Sequence, residues 1–127
     1  MPTEPLPSTP PKNFLRACLL LLLREQPGHG YDLLRRLESF GIGGDDPGGL
    51  YRALRSLEQE GLVHSAWQAS TSGPDRRSYE LTRAGMEELH RSATSLAATR
   101  DLLGAFLSRY GEFVALAERP TVSSGTR

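Results

Sequence analysis

Residues 46–61 predict a helix whose two ends are both marked in the sequence. Asp46 can accept hydrogen bonds from the first free N–H groups of a helix, and Pro47 suits the first helical position, where no donor is needed. Gly61 stands where a helix commonly ends in the left-handed conformation. Three leucines between these ends have the spacing of one buried stripe: Leu50, Leu54 and Leu57. We expect the chain to fold around that stripe.

The other residues of this helix form a polar face. It carries Gly49, Arg52, Arg55, Ser56 and Gln59. Two arginines and small hydrogen-bonding side chains on a solvent-facing surface suit a helix that lies in a DNA major groove. The alternative is that the arginines only form a solvated surface, as on most amphipathic helices. The elements on either side favour the DNA interpretation.

Two further helices are predicted before this one. Residues 13–25 are apolar almost all round, so we expect that helix at the centre of the core. The Gln-Pro-Gly sequence at 26–28 breaks it, and a second helix follows over 29–40, with Arg35 and Arg36 pointing away from the core. Helix, short break and helix in this order are typical of a helix-turn-helix.

After the third helix the sequence period changes from helical to strand-like. Residues 62–68 and 77–81 are short and rich in β-formers, and residues 70–75 between them are turn-forming. Two strands joined by a polar turn directly after the third helix predict a β-hairpin wing. The tip of this wing would carry Arg76 and Arg77.

The last part of the chain predicts a long helix, capped by Thr82, with a seven-residue apolar repeat. Roughly four heptads at 1.5 Å per residue give a helix of about 40 Å. A domain this small cannot cover such a stripe, so we expect the same helix of a second copy to cover it. The predicted dimerisation residues are Leu89, Leu96, Leu103, Phe106, Leu107, Tyr110 and Phe113. The alternative is that the stripe folds back onto the first helix.

Charge and cysteine content limit the possible functions. The chain has 15 basic and 15 acidic residues, whereas DNA-binding proteins normally carry a basic excess. If DNA is the partner, the positive charge must be segregated onto one face. The single cysteine, Cys18, excludes an internal disulfide and fits a reducing compartment. The apolar run at 18–23 is far shorter than the ~20 residues of a membrane helix, so we expect no membrane partner and a cytoplasmic, nucleoid-associated protein.

No pattern in the sequence predicts catalysis or a cofactor. The three histidines, His29, His64 and His90, lie on different elements without cysteines or paired carboxylates at metal-ligand spacing. There is no recognisable nucleophile–base pair and no phosphate-cradling glycine loop followed by Lys-Ser/Thr. We therefore expect no enzyme, no metal site and no cofactor.

The order of these elements, together with three short motifs, resembles the PadR family of bacterial winged helix-turn-helix transcriptional regulators. The motifs are the HGY sequence at 29–31, GxLY at 48–51 and GPxRRxY at 73–79. Other matching residues lie at 19–23, 32–33, 47, 53–54, 57–63, 67, 81–82 and 84–85. Within the family, the DPGxLYRxLR motif and the AxSLxxTRxLLxxFLxRY sequence of the last helix are most similar to those of the poly-β-hydroxybutyrate-responsive repressors.

The resemblance implies a mainly α fold with a small β-hairpin wing. The expected organisation is a disordered proline-rich arm (1–12), a winged helix-turn-helix domain (13–82), a C-terminal dimerisation helix (83–118) and a disordered tail (119–127). The expected DNA contacts are Tyr31, Gly49, Tyr51, Arg52, Arg55, Arg76 and Arg77. For Tyr31, packing against the core is an equal alternative, and Tyr79 is expected to pack inward. The family usually has Thr or Ser in place of Gly49, and often proline in place of Arg52.

The function implied is a homodimeric repressor that binds double-stranded DNA at a palindromic operator, with half-sites about one helical turn apart. A small-molecule or polymer effector would release it. The alternative from a different class is a winged-helix module that binds a protein or a polymer-granule surface instead of DNA. Zero net charge supports the alternative, and the four arginines predicted on the third helix and the wing oppose it. The chain could also belong to another winged-helix family that binds DNA, but the long C-terminal repeat and the HGY motif argue against this.

Overall fold

The computed structural model describes residues 10–42, 46–70 and 72–117. The predicted tail (119–127) lies outside the described residues, and so does the predicted arm except for residues 10–12. The chain divides into two compact units, Met1–Ser92 and Ala93–Arg127.

Four α-helices, one short 3-10 helix and three β-strands form the described structure. In chain order they are α1 (Phe14–Glu25), β1 (Gly28–His29), α2 (Gly30–Arg36), the 3-10 helix (Leu37–Phe40), α3 (Pro47–Gln59), β2 (Val63–Gln68), β3 (Arg76–Leu81) and α4 (Arg83–Ala117). The prediction of a mainly α fold with a β-hairpin after the third helix is confirmed.

The core of the first unit is built from leucines of the first three helices. The most deeply buried side chains are Leu19, Leu20, Leu33, Leu37, Leu50, Leu54 and Leu57. Helix α1 supplies the largest share, as its all-round apolar sequence predicts. Cys18 lies within this core, where burial raises the pKa of its thiol to about 11. The thiol therefore stays protonated at neutral pH, as expected of a buried cysteine.

Both ends of α3 form as the sequence predicts. Asp46 precedes the helix, and its Oδ1 accepts a hydrogen bond from the backbone N–H of Gly49 at 3.0 Å. Pro47 occupies the first helical position. After the helix, Gly61 adopts a left-handed conformation with φ of 78°. Because the helix is bounded at both ends, its buried leucine stripe and its polar face have a defined orientation.

The sheet has a third strand that the sequence analysis missed. The strand order is β1-β3-β2, with Gly28 opposite Tyr79 and His29 opposite Ser78. The predicted second helix over 29–40 is therefore wrong at both ends. His29 belongs to a strand, α2 begins at Gly30, and a 3-10 helix replaces the α-helix after Arg36.

The prediction that Arg36 points away from the core is also wrong. Its guanidinium donates to the backbone oxygens of Leu22 at 2.5 Å and Gln26 at 3.1 Å, and it forms an ion pair with Asp32 at 3.4 Å. These two carbonyls lie at the C-terminal end of α1. That of Leu22 also accepts from the N–H of Gln26 at 3.0 Å, and that of Gln26 lies just beyond the helix, where carbonyl groups have no partner within it. Arg36 thus caps α1, whereas Arg35 is exposed as predicted.

Thr82 connects the start of α4 to the end of the α3 segment. Its Oγ1 accepts from the N–H of Gly85 at 3.0 Å, which confirms the predicted cap, and donates to the carbonyl oxygen of Gly61 at 2.7 Å. A Cβ on Gly85 would lie 2.1 Å from the carbonyl oxygen of Leu62. The close approach of α4 to this loop therefore requires glycine at position 85.

In the second unit, the α4 residues up to Ala117 form a continuous helix with a broad apolar surface. We call this surface the α4 apolar face; its exposed members are Leu102, Leu103, Phe106, Leu107, Tyr110, Phe113 and Leu116. The rings of Phe106 and Tyr110 stack on it at a centroid distance of 6.4 Å. Among the described helices, none combines the length and the apolar character needed to cross a bilayer.

Candidate nucleic-acid interface

Helix α3 presents its arginines to solvent because its leucine stripe is buried. Arg52 and Arg55 are both exposed, and neither takes part in an ion pair within the described ranges. Tyr51 lies beside them and is 42% exposed. Two guanidinium groups with free donors on one helix face can bind guanine edges or phosphate oxygens.

Ser56 does not belong to this free face, contrary to the sequence-based assignment. Arg16 of α1 donates to Ser56 Oγ at 3.2 Å and to both carboxylate oxygens of Glu60, at 3.0 and 2.9 Å. Ser56 also donates to Glu60 at 3.0 Å. The hydrogen bonds from Arg16 and Ser56 lower the pKa of Glu60. This cluster joins α1 to the C-terminal half of α3 and occupies the serine hydroxyl.

Gly49 is partly exposed at the start of α3, but its N–H is occupied by Asp46. A Cβ at this position would lie 2.3 Å from an oxygen of the Asp46 carboxylate. In this arrangement the cap and a larger side chain at position 49 compete for the same space. This explains how glycine fits here, where the resemblance leads one to expect Ser or Thr.

The ring of Tyr51, on α3, lies against Gly30 at the start of α2. A Cβ on Gly30 would come within 2.8 Å of three atoms of the Tyr51 phenol, so this glycine lets α3 approach α2 closely. The neighbouring Tyr31 is 65% exposed. Of its two predicted roles, packing against the core therefore does not describe its position, and its hydroxyl is accessible to a ligand.

The two wing arginines point to opposite faces of the hairpin. Arg76 is paired with Gln68, and Arg77 is paired with Trp67. Successive side chains alternate along a strand, so Arg77 shares its face with Tyr79 and Arg76 does not. The side chain of Gln68 contacts His29 at 2.7 Å, and Arg76 is exposed. Both arginines were predicted together at the wing tip, but on opposite faces of the hairpin they cannot make equivalent contacts.

Arg77 is held in place by the wing itself. Its Nε donates to Ser65 Oγ at 2.8 Å, and its guanidinium carbon lies 5.2 Å from the ring centroid of Trp67. Ser65 in turn donates to Glu58 of α3 at 2.6 Å. This chain of contacts links the wing to α3. Ser65 and Glu58 were not among the predicted site residues, although strand alternation places Ser65 on the inward face with Val63 and Trp67.

A cleft lies between α3 and β3, and we call it the α3–wing cleft. It is lined by Tyr51, Arg55, Glu58, Arg77 and Tyr79. Three predicted DNA-contacting residues, Tyr51, Arg55 and Arg77, therefore meet at one site. Tyr79 packs inward as predicted and is 7% exposed; burial raises the pKa of its phenol.

The predicted dimerisation residues fall into two groups. Leu103, Phe106, Leu107, Tyr110 and Phe113 are exposed members of the α4 apolar face. Two others lie nearer the start of the helix and are partly buried: Leu89, which packs against the core of the first unit, and Leu96. Leu102 and Leu116 belong to the exposed face but were missed, although Leu102 precedes Phe106 by one turn and Leu116 follows Phe113 at i+3.

The described residues hold no group of three or more His, Cys, Asp or Glu side chains that could bind a metal ion. His29 precedes α2, but its side chain makes no capping hydrogen bond and instead contacts Gln68. The candidate functional surfaces are the α3 face, the wing and the α4 apolar face.

A three-helix core, a helix with an exposed arginine face and a β-hairpin directly after it define a winged helix-turn-helix protein. Residues 19–91 match the transcriptional regulator PadR-like family, which is more than half of the chain. The protein therefore belongs to the PadR-like family of transcriptional regulators. DNA binding in the regulation of transcription is the property of this family, and the expectation that the chain is not an enzyme is confirmed by its membership.

Solved structures support the same assignment. A PadR-like transcriptional regulator from Bacillus cereus is 27% identical, with a TM-score of 0.67, and the match covers 76% of this chain and 93% of that one. A PadR family regulator from Eggerthella lenta is 30% identical, with a TM-score of 0.61 and coverage of 73% and 85%. A Thermoplasma acidophilum protein described as a putative transcriptional regulator is 27% identical, with a TM-score of 0.66 and coverage of 76% and 92%. No curated protein matches the sequence.

Proposed function

We propose that this protein is a sequence-specific DNA-binding repressor that acts as a homodimer on a palindromic operator. One observation supports this most strongly. Arg55 of α3 and Arg77 of the wing line one cleft, and Arg52 is exposed on the same helix one turn before Arg55. Family membership supplies the DNA partner, and this geometry supplies the surface that would contact it.

The proposed contacts divide by chemistry. Arg52 lies on the exposed face of α3, outside the α3–wing cleft, where its fork of donors can reach guanine O6 and N7 in the major groove. Tyr31 and Tyr51 would position the protein on the backbone, and Gly49, whose N–H is bound to Asp46, would let the backbone approach the start of α3. Arg76 would reach the neighbouring phosphates from the outer face of the wing. Arg55 and Arg77 are the remaining proposed DNA-contacting residues.

The homodimer is proposed from the α4 apolar face. Seven large apolar side chains on one helix segment are exposed, and such a surface is typical of a protein–protein contact. A second copy is the simplest partner, since a two-fold axis would present two α3 helices to the two halves of a palindrome. In this proposal residues 13–82 bind DNA and residues 83–118 form the dimer. Half-site centres would be about 34 Å apart, one turn of DNA.

Repression would follow from occupancy of the operator, and an effector would reverse it. Such an effector, a small molecule or a polymer, must bind the free and DNA-bound geometries with different affinities, because a ligand shifts an equilibrium only by its differential binding. Assignment to the poly-β-hydroxybutyrate-responsive subgroup stays a prediction from the resemblance.

The experiment that tests the proposal compares Arg52→Ala and Arg55→Ala with Arg91→Ala, which removes the same charge from an exposed site on α4. The DNA is an operator selected from random duplexes. We expect each α3 variant to lose at least about 10-fold in affinity, since a bidentate arginine contact contributes about 1–3 kcal/mol. Arg91→Ala should bind like the unaltered protein, and all three should keep the oligomeric state.

Unchanged DNA binding by both α3 variants would overturn the assignment of this face. It would favour the alternative, a winged-helix module for a protein or polymer-granule surface. The α3 face does not favour that alternative, because its exposed part is cationic and hydrogen-bonding, not apolar.

A further inference from the structure

We infer that the α3–wing cleft binds one phosphate of the DNA backbone, gripped jointly by α3 and the wing. Arg55 and Arg77 would supply the positive charge, and the hydroxyls of Tyr51 and Tyr79 would supply neutral donors. The inference rests on the proposed function and deepens it: it assigns Arg55 to a phosphate where a base was also open, and it adds Tyr79 as a binding residue.

The first support is that Arg77 is already oriented for an anion. Its Nε is used by Ser65 at 2.8 Å, and its guanidinium is stacked on Trp67 at 5.2 Å. An arginine has five N–H donors, so the terminal nitrogens remain available after Nε is occupied. A guanidinium held in one orientation loses less freedom on binding a phosphate than a mobile one.

The second support is the charge balance of the lining. Its only acidic member is Glu58, which accepts a hydrogen bond from Ser65 at 2.6 Å. Arg55 and Arg77 outnumber this carboxylate, so the lining has a net positive charge. Because Ser65 contacts both Glu58 and Arg77, the carboxylate fixes the wing to α3.

The third support is Tyr79, whose side chain is more than nine-tenths buried and lines the cleft. Its hydroxyl has no hydrogen-bond partner among residues 10–42, 46–70 and 72–117, and no buried side-chain atom in these ranges is left both unpaired and sealed from solvent. An unpaired hydroxyl that is not sealed from solvent opens into the cleft, so it is available to a ligand that enters there. Because burial raises the pKa of Tyr79, the phenol stays a neutral donor at physiological pH.

The donor set selects a phosphate over a base edge. The groups that remain free in the cleft, two guanidiniums and two phenols, are suited to a ligand that only accepts hydrogen bonds and carries negative charge. Phosphate oxygens meet both conditions. On its major-groove edge guanine also only accepts, through O6 and N7, but it carries no net charge, so two guanidiniums favour a phosphate. Glu58, the one acidic member of the lining, accepts a hydrogen bond from Ser65 through one of its two oxygens.

The test compares Tyr79→Phe with the unaltered protein on the selected operator and on random duplex. The substitution removes one hydroxyl and keeps the buried ring. We expect affinity to fall about 3- to 10-fold on both duplexes, because phosphate contacts carry no sequence information. The salt dependence of binding should not change, because the lost donor is neutral. Arg55→Ala and Arg77→Ala should each reduce the slope of log affinity against log salt by about one and leave the preference for the operator unchanged.

A matched pair at Ser65 tests whether Arg77 is positioned for this contact. Ser65→Ala removes the hydroxyl that links Glu58 to Arg77, and Ser65→Thr keeps it. Trp67 is the only tryptophan, so its emission reports the Arg77 stack directly. We expect Ser65→Ala to change this emission and weaken DNA binding, and Ser65→Thr to restore both. Equal DNA affinities in the two variants would contradict the positioning role.

Single neutral methylphosphonates in the operator locate the phosphate. At one position per half-site, the methylphosphonate should weaken DNA binding by the unaltered protein. At the same position it should not weaken binding by Tyr79→Phe further, because the two changes remove the same contact, as in a double-mutant cycle. Inorganic phosphate alone, at the concentration of DNA phosphate used, should leave the Trp67 emission unchanged. If inorganic phosphate changed the Trp67 emission to saturation, and added operator did not reverse that change, the cleft would bind a free anion. That result would overturn the DNA assignment.

The failures are separable. If the unaltered protein binds no duplex, the proposed function is wrong. If it binds the operator, and Tyr79→Phe binds it equally well with the same methylphosphonate pattern, only the phosphate assignment is wrong. A loss of operator preference in Arg55→Ala would return Arg55 to a base contact.

Discussion

Neighbouring arginines in this protein have different roles, and their local partners determine which. Arg35 and Arg36 are adjacent, yet Arg35 is exposed and Arg36 caps α1 through two backbone carbonyls. Arg76 and Arg77 are also adjacent, yet only Arg77 faces the α3–wing cleft. Both members of each pair are arginines, so a difference between their alanine variants reports the contacts made at each position and not the residue type.

At the first pair we expect Arg36→Ala to destabilise the fold by about 1–3 kcal/mol, because the carbonyl groups at the end of α1 lose a charged donor. Arg35→Ala should change the free energy of unfolding by less than about 0.5 kcal/mol, as surface substitutions usually do. Urea denaturation followed by circular dichroism measures both. Equal stabilities for the two variants would show that the Arg36 contacts do not stabilise α1.

At the scale of elements, the sequence predicted what local signals determine. The α3 helix could be bounded correctly because its cap, its first proline and its terminal glycine all lie within a residue or two of its ends. Strand β1 could not be predicted, since it has only two residues and exists by pairing with β3, far along the chain. A period of two cannot be read from two residues.

Some features of the candidate site followed from local sequence, and others depend on residues that are distant along the chain. The exposure of Arg52 and Arg55 followed from the leucine stripe of their own helix. The engagement of Ser56 depends on Arg16, forty residues away, and the orientation of Arg77 depends on Ser65 and the register of the hairpin. Strand alternation indicates the face on which Ser65 lies, but no local signal indicates which partners these side chains take. The free part of the α3 face is therefore smaller than the sequence indicated.

Close packing between elements gives a second prediction, at two glycines of α4. Gly85→Ala should destabilise the protein by about 1–3 kcal/mol, because the added methyl group would overlap the carbonyl oxygen of Leu62. Gly104→Ala is the control: nothing lies within 4 Å of its added Cβ. Alanine at that helical site should stabilise by about 0.5–1 kcal/mol. Thermal unfolding would refute the packing account if both variants moved in the same direction.

At the scale of the whole molecule, zero net charge and a cationic DNA surface are compatible. The ion pairs of the described residues join acidic groups to Arg16, Arg36, Arg91 and Arg100. None of the arginines proposed to contact DNA takes part in these pairs. Acidic residues thus neutralise arginines elsewhere, and the α3 face keeps its positive charge.

The α4 apolar face gives the prediction that concerns assembly. Leu103→Glu would place a charge on this face, whereas Ser108→Glu adds the same charge to an exposed polar site of the same helix segment. We expect the Leu103 variant to sediment as a monomer and to bind the operator more weakly, because burying an unpaired carboxylate is costly. The Ser108 variant should remain a dimer. Identical masses for the two variants would argue against a dimer formed through this face.

The central claim is that α3 and the wing bind DNA and discriminate among sequences. The most direct measurement is selection of bound duplexes from a random library, followed by a salt titration of the selected duplex against an unselected one. We predict enrichment of a palindrome with half-sites about one helical turn apart, and an affinity that falls steeply as salt rises. No enrichment, together with binding that is equally weak for both duplexes at every salt concentration, would contradict the claim.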